Sequence, residues 1–139
     1  MLFAEKNGFV PGSVALDAAM VTKWMAEYLD TMPARVDHRG MVGQYFGDDL
    51  KANFGAPFPR VNSDEIRADA SQVVACAAAM WEPLQFLNRR WQDRGFPLMD
   101  IRAGLSTGDV ADLCVGRTAP LKFATRGEVV RIRGGLYAE

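Results

Sequence analysis

The stretch MVGQYFGDDLKANFGAPFP, Met41 to Pro59, decides how the chain is read. Val42 to Phe46 is short, apolar and rich in β-formers. Gly47-Asp48-Asp49 has the composition of a tight turn, and Leu50 to Phe54 is a second strand-like run that stops at Gly55-Ala56-Pro57. Two strand-like runs around a Gly-Asp turn predict a β-hairpin with two carboxylates at its tip. Crowded carboxylates repel unless a cation sits between them and a partner, so one reading is a divalent-metal site. The other is a polar hairpin turn, for which Gly and Asp are ordinary residues.

On the N-terminal side, Met1 to Ala4 reads as a short strand. Gly8, Pro11 and Gly12 mark the following segment as a loop with exposed backbone amides. Such a loop ahead of a helix can hold phosphate oxygens, or can be a plain connector. Ser13 is a candidate N-cap for a helix through Ala34, with Leu16, Met20, Trp24, Tyr28 and Leu29 at helical spacing as a core stripe. His38 falls in the polar break before the hairpin.

On the C-terminal side, Ser63 and Asp64 open a long helix. Its face is Ile66, Ala70, Val73, Ala77, Met80, Leu84, Leu87 and Trp91, with a kink expected at Pro83. The Arg89, Arg90 and Arg94 cluster near its end suits the helix dipole. Strands follow at Leu98–Ser106, Val110–Val115 and Leu121–Thr125, and a last short helix at Glu128–Tyr137. The order β-α-β-β-α-β-β-α predicts an α+β fold: a ferredoxin-like, split βαβ arrangement, with helices packed on an antiparallel-rich sheet.

Length and composition set the outer limits. At 139 residues, 49% hydrophobic and 24% charged, the chain reads as one domain with a true core. A net charge of -1 gives no electrostatic case for nucleic acid or a membrane surface. Cys76 and Cys114 lie far apart in apolar runs and read as buried free thiols in a reducing compartment. With His38 as the one histidine, a histidine-based metal site or a Ser-His-Asp triad is not expected. No run spans a membrane and no signal peptide opens the sequence, so the expected location is the cytoplasm, as a free domain or as the cytoplasmic part of a membrane sensor.

With these elements placed, the chain resembles the catalytic domain of class III nucleotidyl cyclases, the adenylate and guanylate cyclases. It looks closest to the bacterial branch whose sensors carry a CHASE2 region. The resemblance rests on Leu2–Val10 (LFAEKNGFV), Tyr45–Pro57 (YFGDDLKANFGAP), the stretch from Phe58 through Met80 with Leu87–Trp91 and Arg94-Gly95, which resembles the long helix and its exit, Ile101–Gly108 (IRAGLSTG) and Leu121–Val130 (LKFATRGEVV).

The resemblance implies an adenylate cyclase domain that converts ATP, in preference to GTP, to cyclic AMP and pyrophosphate. It further implies two divalent cations, Mg²⁺ or Mn²⁺, and a site at a head-to-tail interface in a homodimer or with another cyclase-domain partner. Metal-site positions then fall on Glu5, Lys6 and Asp48, and nucleotide-binding positions on Asn7, Gly8, Phe9, Val10, Gln44, Gly47 and Ala124. The catalytic positions fall on Arg131 and Gly135.

Several of these depart from the family pattern. Glu5 stands for an aspartate, Gln44 for a base-reading lysine and Ala124 for a base-reading threonine or aspartate. Arg131 stands for a ribose-orienting asparagine, and Gly135 for an arginine that stabilises the transition state. The domain also reads as trimmed at both ends. Two alternatives to an active, impaired cyclase follow. One is a catalytically degenerate cyclase-homology module that regulates or dimerises, and the other is a ferredoxin-like binding domain of distant ancestry.

Overall fold

The computed structural model describes residues 1–37, 41–46, 49–56, 58–115 and 122–127; residues 37, 41–46, 112–115 and 122–125 are described by their backbone alone. The elements are β1 (Leu2–Asn7), α1 (Phe9–Val14), α2 (Ala18–Thr31), α3 (Pro33–Asp37), β2 (Met41–Phe46), β3 (Asp49–Asn53), α4 (Ser63–Ala79), α5 (Trp81–Asp93), β4 (Asp100–Leu105), β5 (Ala111–Val115) and β6 (Lys122–Arg126).

The main sheet has the order β2-β3-β1-β4, with every neighbouring pair antiparallel. β3 lies between β1 and β2, which is the split βαβ arrangement expected from the sequence. β5 and β6 pair as a separate antiparallel ribbon. The expected hairpin is present: Met41 pairs with Asn53 and Phe46 with Asp49, with one register shift between Val42 and Gln44.

Alternation in β1 sets the two faces of the sheet. Leu2 and Ala4 are fully buried against the helices, and Lys6 shares their side. Leu50 and Ala52 of β3 pair with Ala4 and Leu2 and complete that apolar floor. Trp24 and Tyr28 of α2, Met32, Val36 of α3, and Val73, Cys76, Met80, Leu84, Leu87 and Trp91 of α4 and α5 close over it. Cys76 is buried, and its thiol donates to the Arg35 carbonyl at 3.7 Å.

Several boundaries differ from the sequence reading. β1 runs on to Asn7, because the polar pair Glu5-Lys6 still alternates in and out and bonds to β4 as far as Asp100. The segment after Gly8 is a short helix rather than a loop, and Ser13 lies inside it, its hydroxyl donating to the Val10 carbonyl at 2.8 Å. The cap of α2 is instead Asp17, whose carboxylate accepts from the Met20 amide at 2.8 Å. α2 ends at Thr31 because Pro33 cannot donate to the carbonyl four residues back and its ring crowds it. The same effect splits the long helix. Pro83 sits four residues after Ala79, the last residue of α4, so the break falls at Met80 and not at the proline itself. The apolar stripe continues across the break, except that Ile66 and Ala70 are exposed. The Glu128–Tyr137 helix and His38 lie outside the described residues.

One polar cluster ties α2 to α5. The Glu27 carboxylate accepts from Trp91 Nε1 at 3.0 Å and from Arg94 at 2.8 and 3.0 Å. Burial pushes the Glu27 carboxyl up, but the hydrogen bonds from Arg94 and Trp91 and the charges of Arg94 and Arg90 together hold it below the ordinary range. A depressed carboxylate stabilises the fold above its unfolded value of about 4.3, and that stability is lost as pH falls through the lower folded value. Glu27→Gln is therefore expected to cost about 1.5–3 kcal/mol at neutral pH. In thermal melts over pH 7 to 2, the wild-type and variant curves should converge at the acid end.

Candidate functional site

Of the residues singled out from sequence, Glu5, Asn7, Gly8, Phe9 and Val10 follow one another at the end of β1 that is level with the start of β3. β1 supplies Glu5, half-buried and on the face away from the helices. Glu5 pairs across the ladder with Arg102 of β4, so the two side chains leave the same face as neighbours. Arg102 is exposed. Ala4 pairs with Leu50, which puts Asp49, the first residue of β3, at the same end as Glu5. Lys51 shares that face opposite Phe3, and is 1% exposed.

β1 leaves the sheet at Asn7, which is exposed and pairs with Asp100. Gly8 then adopts φ 87°. That left-handed conformation turns the chain into α1 and strains any residue with a Cβ. Phe9 anchors the turn from inside by stacking on Trp24, ring centroids 5.5 Å apart. Val10 is 70% exposed. The expected phosphate loop is therefore a strand end, one left-handed glycine and a single aromatic anchor.

Lys6 has its side chain on the helix side. Its ammonium lies 4.5 Å from the Tyr28 ring centroid and 5.8 Å from that of Phe9. Only its backbone carbonyl is therefore available to a cation. Gln44 and Ala124 lie in β2 and β6 and are described by backbone alone; Gly47, Asp48, Arg131 and Gly135 lie outside the described residues. Gly47 and Asp48 fall between the paired residues Phe46 and Asp49.

No group of three or more His, Cys, Asp or Glu side chains gathers among the described residues. The donors present at this end are oxygens, the Glu5 and Asp49 carboxylates. Such a set suits Mg²⁺ or Mn²⁺, which take one or two carboxylates and fill the other positions with water and phosphate oxygens.

Arg102 is the residue the sequence reading did not single out. It stood within the quoted IRAGLSTG stretch as a strand residue. What marks it is the β1–β4 register, which only the fold supplies.

No protein-family model matches the chain, and no curated protein matches it. Solved structures do. The adenylyl cyclase CyaB from P. aeruginosa superposes with a TM-score of 0.84 at 24% identity, over 97% of this chain and 68% of that one. The guanylyl cyclase Cya2 gives 0.82 at 26% identity, over 94% of this chain and 64% of that one. The guanylate cyclase domain of RhGC from Catenaria anguillulae, in complex with GTP, gives 0.69 at 18% identity, over 96% and 68%. The chain thus has the fold of these cyclase domains and spans about two thirds of the chains it matches. Among the described residues, no helix is long and apolar enough to cross a membrane.

Proposed function

We propose that this domain binds a nucleoside triphosphate, ATP in preference to GTP, with divalent cations, and converts it to the 3′,5′-cyclic nucleotide and pyrophosphate as a dimer. The carrying observation is the juxtaposition of Glu5 with Arg102 beside the Gly8 turn, at the hairpin end of a sheet shared with cyclase domains. In the reaction the ribose 3′-oxygen bonds to the α-phosphorus, and the bond from that phosphorus to the bridging oxygen breaks. The cations, when bound, supply charge neutralisation and ease loss of the 3′-proton.

The chain's own residues divide the remaining work. Glu5 and Asp48 hold the cations. Backbone amides of Asn7 to Val10 hold the terminal phosphates. Arg102, one strand over from Glu5, takes a phosphate oxygen through its guanidinium. Gln44 reads the base edge as donor and acceptor, and Arg131 stands where the ribose is oriented. The second half-site comes from the partner chain of a head-to-tail dimer.

A second reading is a degenerate module that binds nucleotide and regulates a partner. It is favoured by Ala124 and Gly135, which carry no side-chain hydrogen-bonding group where the resemblance calls for one.

Metal-dependent binding of a fluorescent ATP analogue tests the site itself. The wild type should bind in Mn²⁺ and release in excess chelator. Arg102→Ala should weaken binding about 10- to 100-fold, the loss of one charged hydrogen bond, without moving the melting temperature. Equal affinity in wild type and Arg102→Ala would remove the arginine from the site.

A further inference from the structure

The linker from α5 to β4, Arg94 to Met99, is pinned at both of its ends. Gly95 turns it at φ 74°, and the Phe96 amide donates back to the Trp91 carbonyl at 2.9 Å. Asn88 of α5 takes the far end. Its Nδ2 donates to the Met99 carbonyl at 2.8 Å, and its Oδ1 accepts from the Met99 amide at 2.9 Å. A carboxamide carries a donor and an acceptor side by side, so one side chain satisfies both backbone groups of one residue. No step of the proposed reaction uses Asn88.

What leans on the linker gives this clamp its meaning. Met99 stands one residue before Asp100, whose pairing with Asn7 ends the β1–β4 ladder, and three before Arg102. On its other side the linker meets Gly8 and Gly12. A Cβ at Gly12 would come within 3.0 Å of Pro97 and 2.9 Å of Trp24, and one at Gly8 would lie 3.6 Å from the Leu98 carbonyl oxygen. The Gly12 amide in turn donates to the Gly8 carbonyl at 3.0 Å. Asn88 thus fixes the piece of backbone that leads into the Arg102 strand and also packs against the Gly8 turn.

We propose that Asn88 is a positioning residue for the triphosphate: by clamping Met99 it sets the spacing between the Gly8 turn and Arg102, the two parts of the site assigned to phosphate. The assignment rests on the nucleotide reading above and adds to it a residue that does not itself touch the ligand. Positioning matters on this scale, since a misplacement of about 1 Å can cost a reaction about 10²-fold.

Asn88→Ala removes both bonds. Asn88→Asp keeps the shape and the acceptor but sets a carboxylate against the Met99 carbonyl. Either variant that melts cooperatively serves. Val73→Ala, at a buried position of α4 outside the linker and the proposed site, is the control for lost stability alone. The first readout needs no nucleotide. Hydrogen exchange at the Gly12 amide, followed by nuclear magnetic resonance, should speed up about tenfold in the Asn88 variant and stay within about twofold of wild type in Val73→Ala. The second is titration with N-methylanthraniloyl ATP in Mn²⁺. Affinity should fall about tenfold (about 1.4 kcal/mol) in the Asn88 variant and stay within about twofold in Val73→Ala. Unchanged Gly12 exchange in a folded Asn88 variant would overturn the assignment, because the clamp would then not reach the turn. So would wild-type affinity in that variant, or an equal loss in Val73→Ala. A wild type that binds no analogue, with Gly12 exchange still answering to Asn88, would overturn the nucleotide reading and the positioning role built on it, and leave only the coupling between linker and turn.

Discussion

Glu5→Ala should reduce metal-dependent cyclic nucleotide formation by about 10²–10³-fold, the usual effect of removing one group that stabilises charge in a transition state. The fold should survive, because Glu5 is half-buried on the face away from the core and makes none of the helix-side contacts. The melting temperature is the control, and it should stay close to wild type. Glu5→Asp gives the opposite expectation. The shorter side chain restores the ligand length of the family pattern, and cation geometry is sensitive to shifts of about 1 Å, so activity should rise above wild type. An unchanged rate in Glu5→Ala would take this carboxylate out of the site.

Trp91→Ala should have the largest effect on stability. Trp91 is fully buried, meets Trp24 edge-on with centroids 5.9 Å apart, and donates to Glu27 at 3.0 Å. Truncation leaves a large cavity and strips one donor from a carboxylate that is already partly desolvated. About 3–5 kcal/mol should be lost, much of the 5–15 kcal/mol typical of a whole domain. Trp91→Phe keeps most of the volume and should recover more than half of the loss. Chemical denaturation followed by far-ultraviolet circular dichroism measures both. Because Trp24 also stacks on Phe9, a loosened Trp91 should also weaken the Gly8 turn at the far side of the same aromatic row.

Much of the architecture was legible in the sequence, for identifiable reasons. The β2–β3 hairpin was written in two β-rich runs around Gly47-Asp48, and Phe46 pairs with Asp49 as that turn requires. The stripe from Val73 to Trp91 held because helical spacing is hard to mimic by chance over such a length. Boundaries were harder. Ser13 and Asp17 are both good caps ahead of one apolar stripe, and only the fold of α1 decides between them. Pro83 announced a disruption, but its effect falls on the carbonyl four residues earlier, so the helix parts at Met80.

The candidate site was legible only along the chain, not across it. The pattern around Glu5 and Gly8 could be seen in the sequence, as could the expected position of Asp48 in the hairpin. The pairing of Glu5 with Arg102 joins residues from two distant segments, and no local pattern encodes a register. Lys6 was misleading for a related reason. In sequence it sits beside Glu5 as if part of one polar cluster, while strand alternation sends the two side chains to opposite faces. One of them faces the proposed site and the other stands behind it.

The most direct measurement is cyclic AMP and cyclic GMP formation from each triphosphate with Mn²⁺, over a series of protein concentrations, with Asp48→Ala alongside. The account predicts cyclic nucleotide, more from ATP than from GTP, in amounts that rise faster than linearly with protein as dimers form, and none from the variant. A folded protein that yields neither product at any concentration would contradict it, and would leave the domain as a cyclase-like fold without cyclase chemistry.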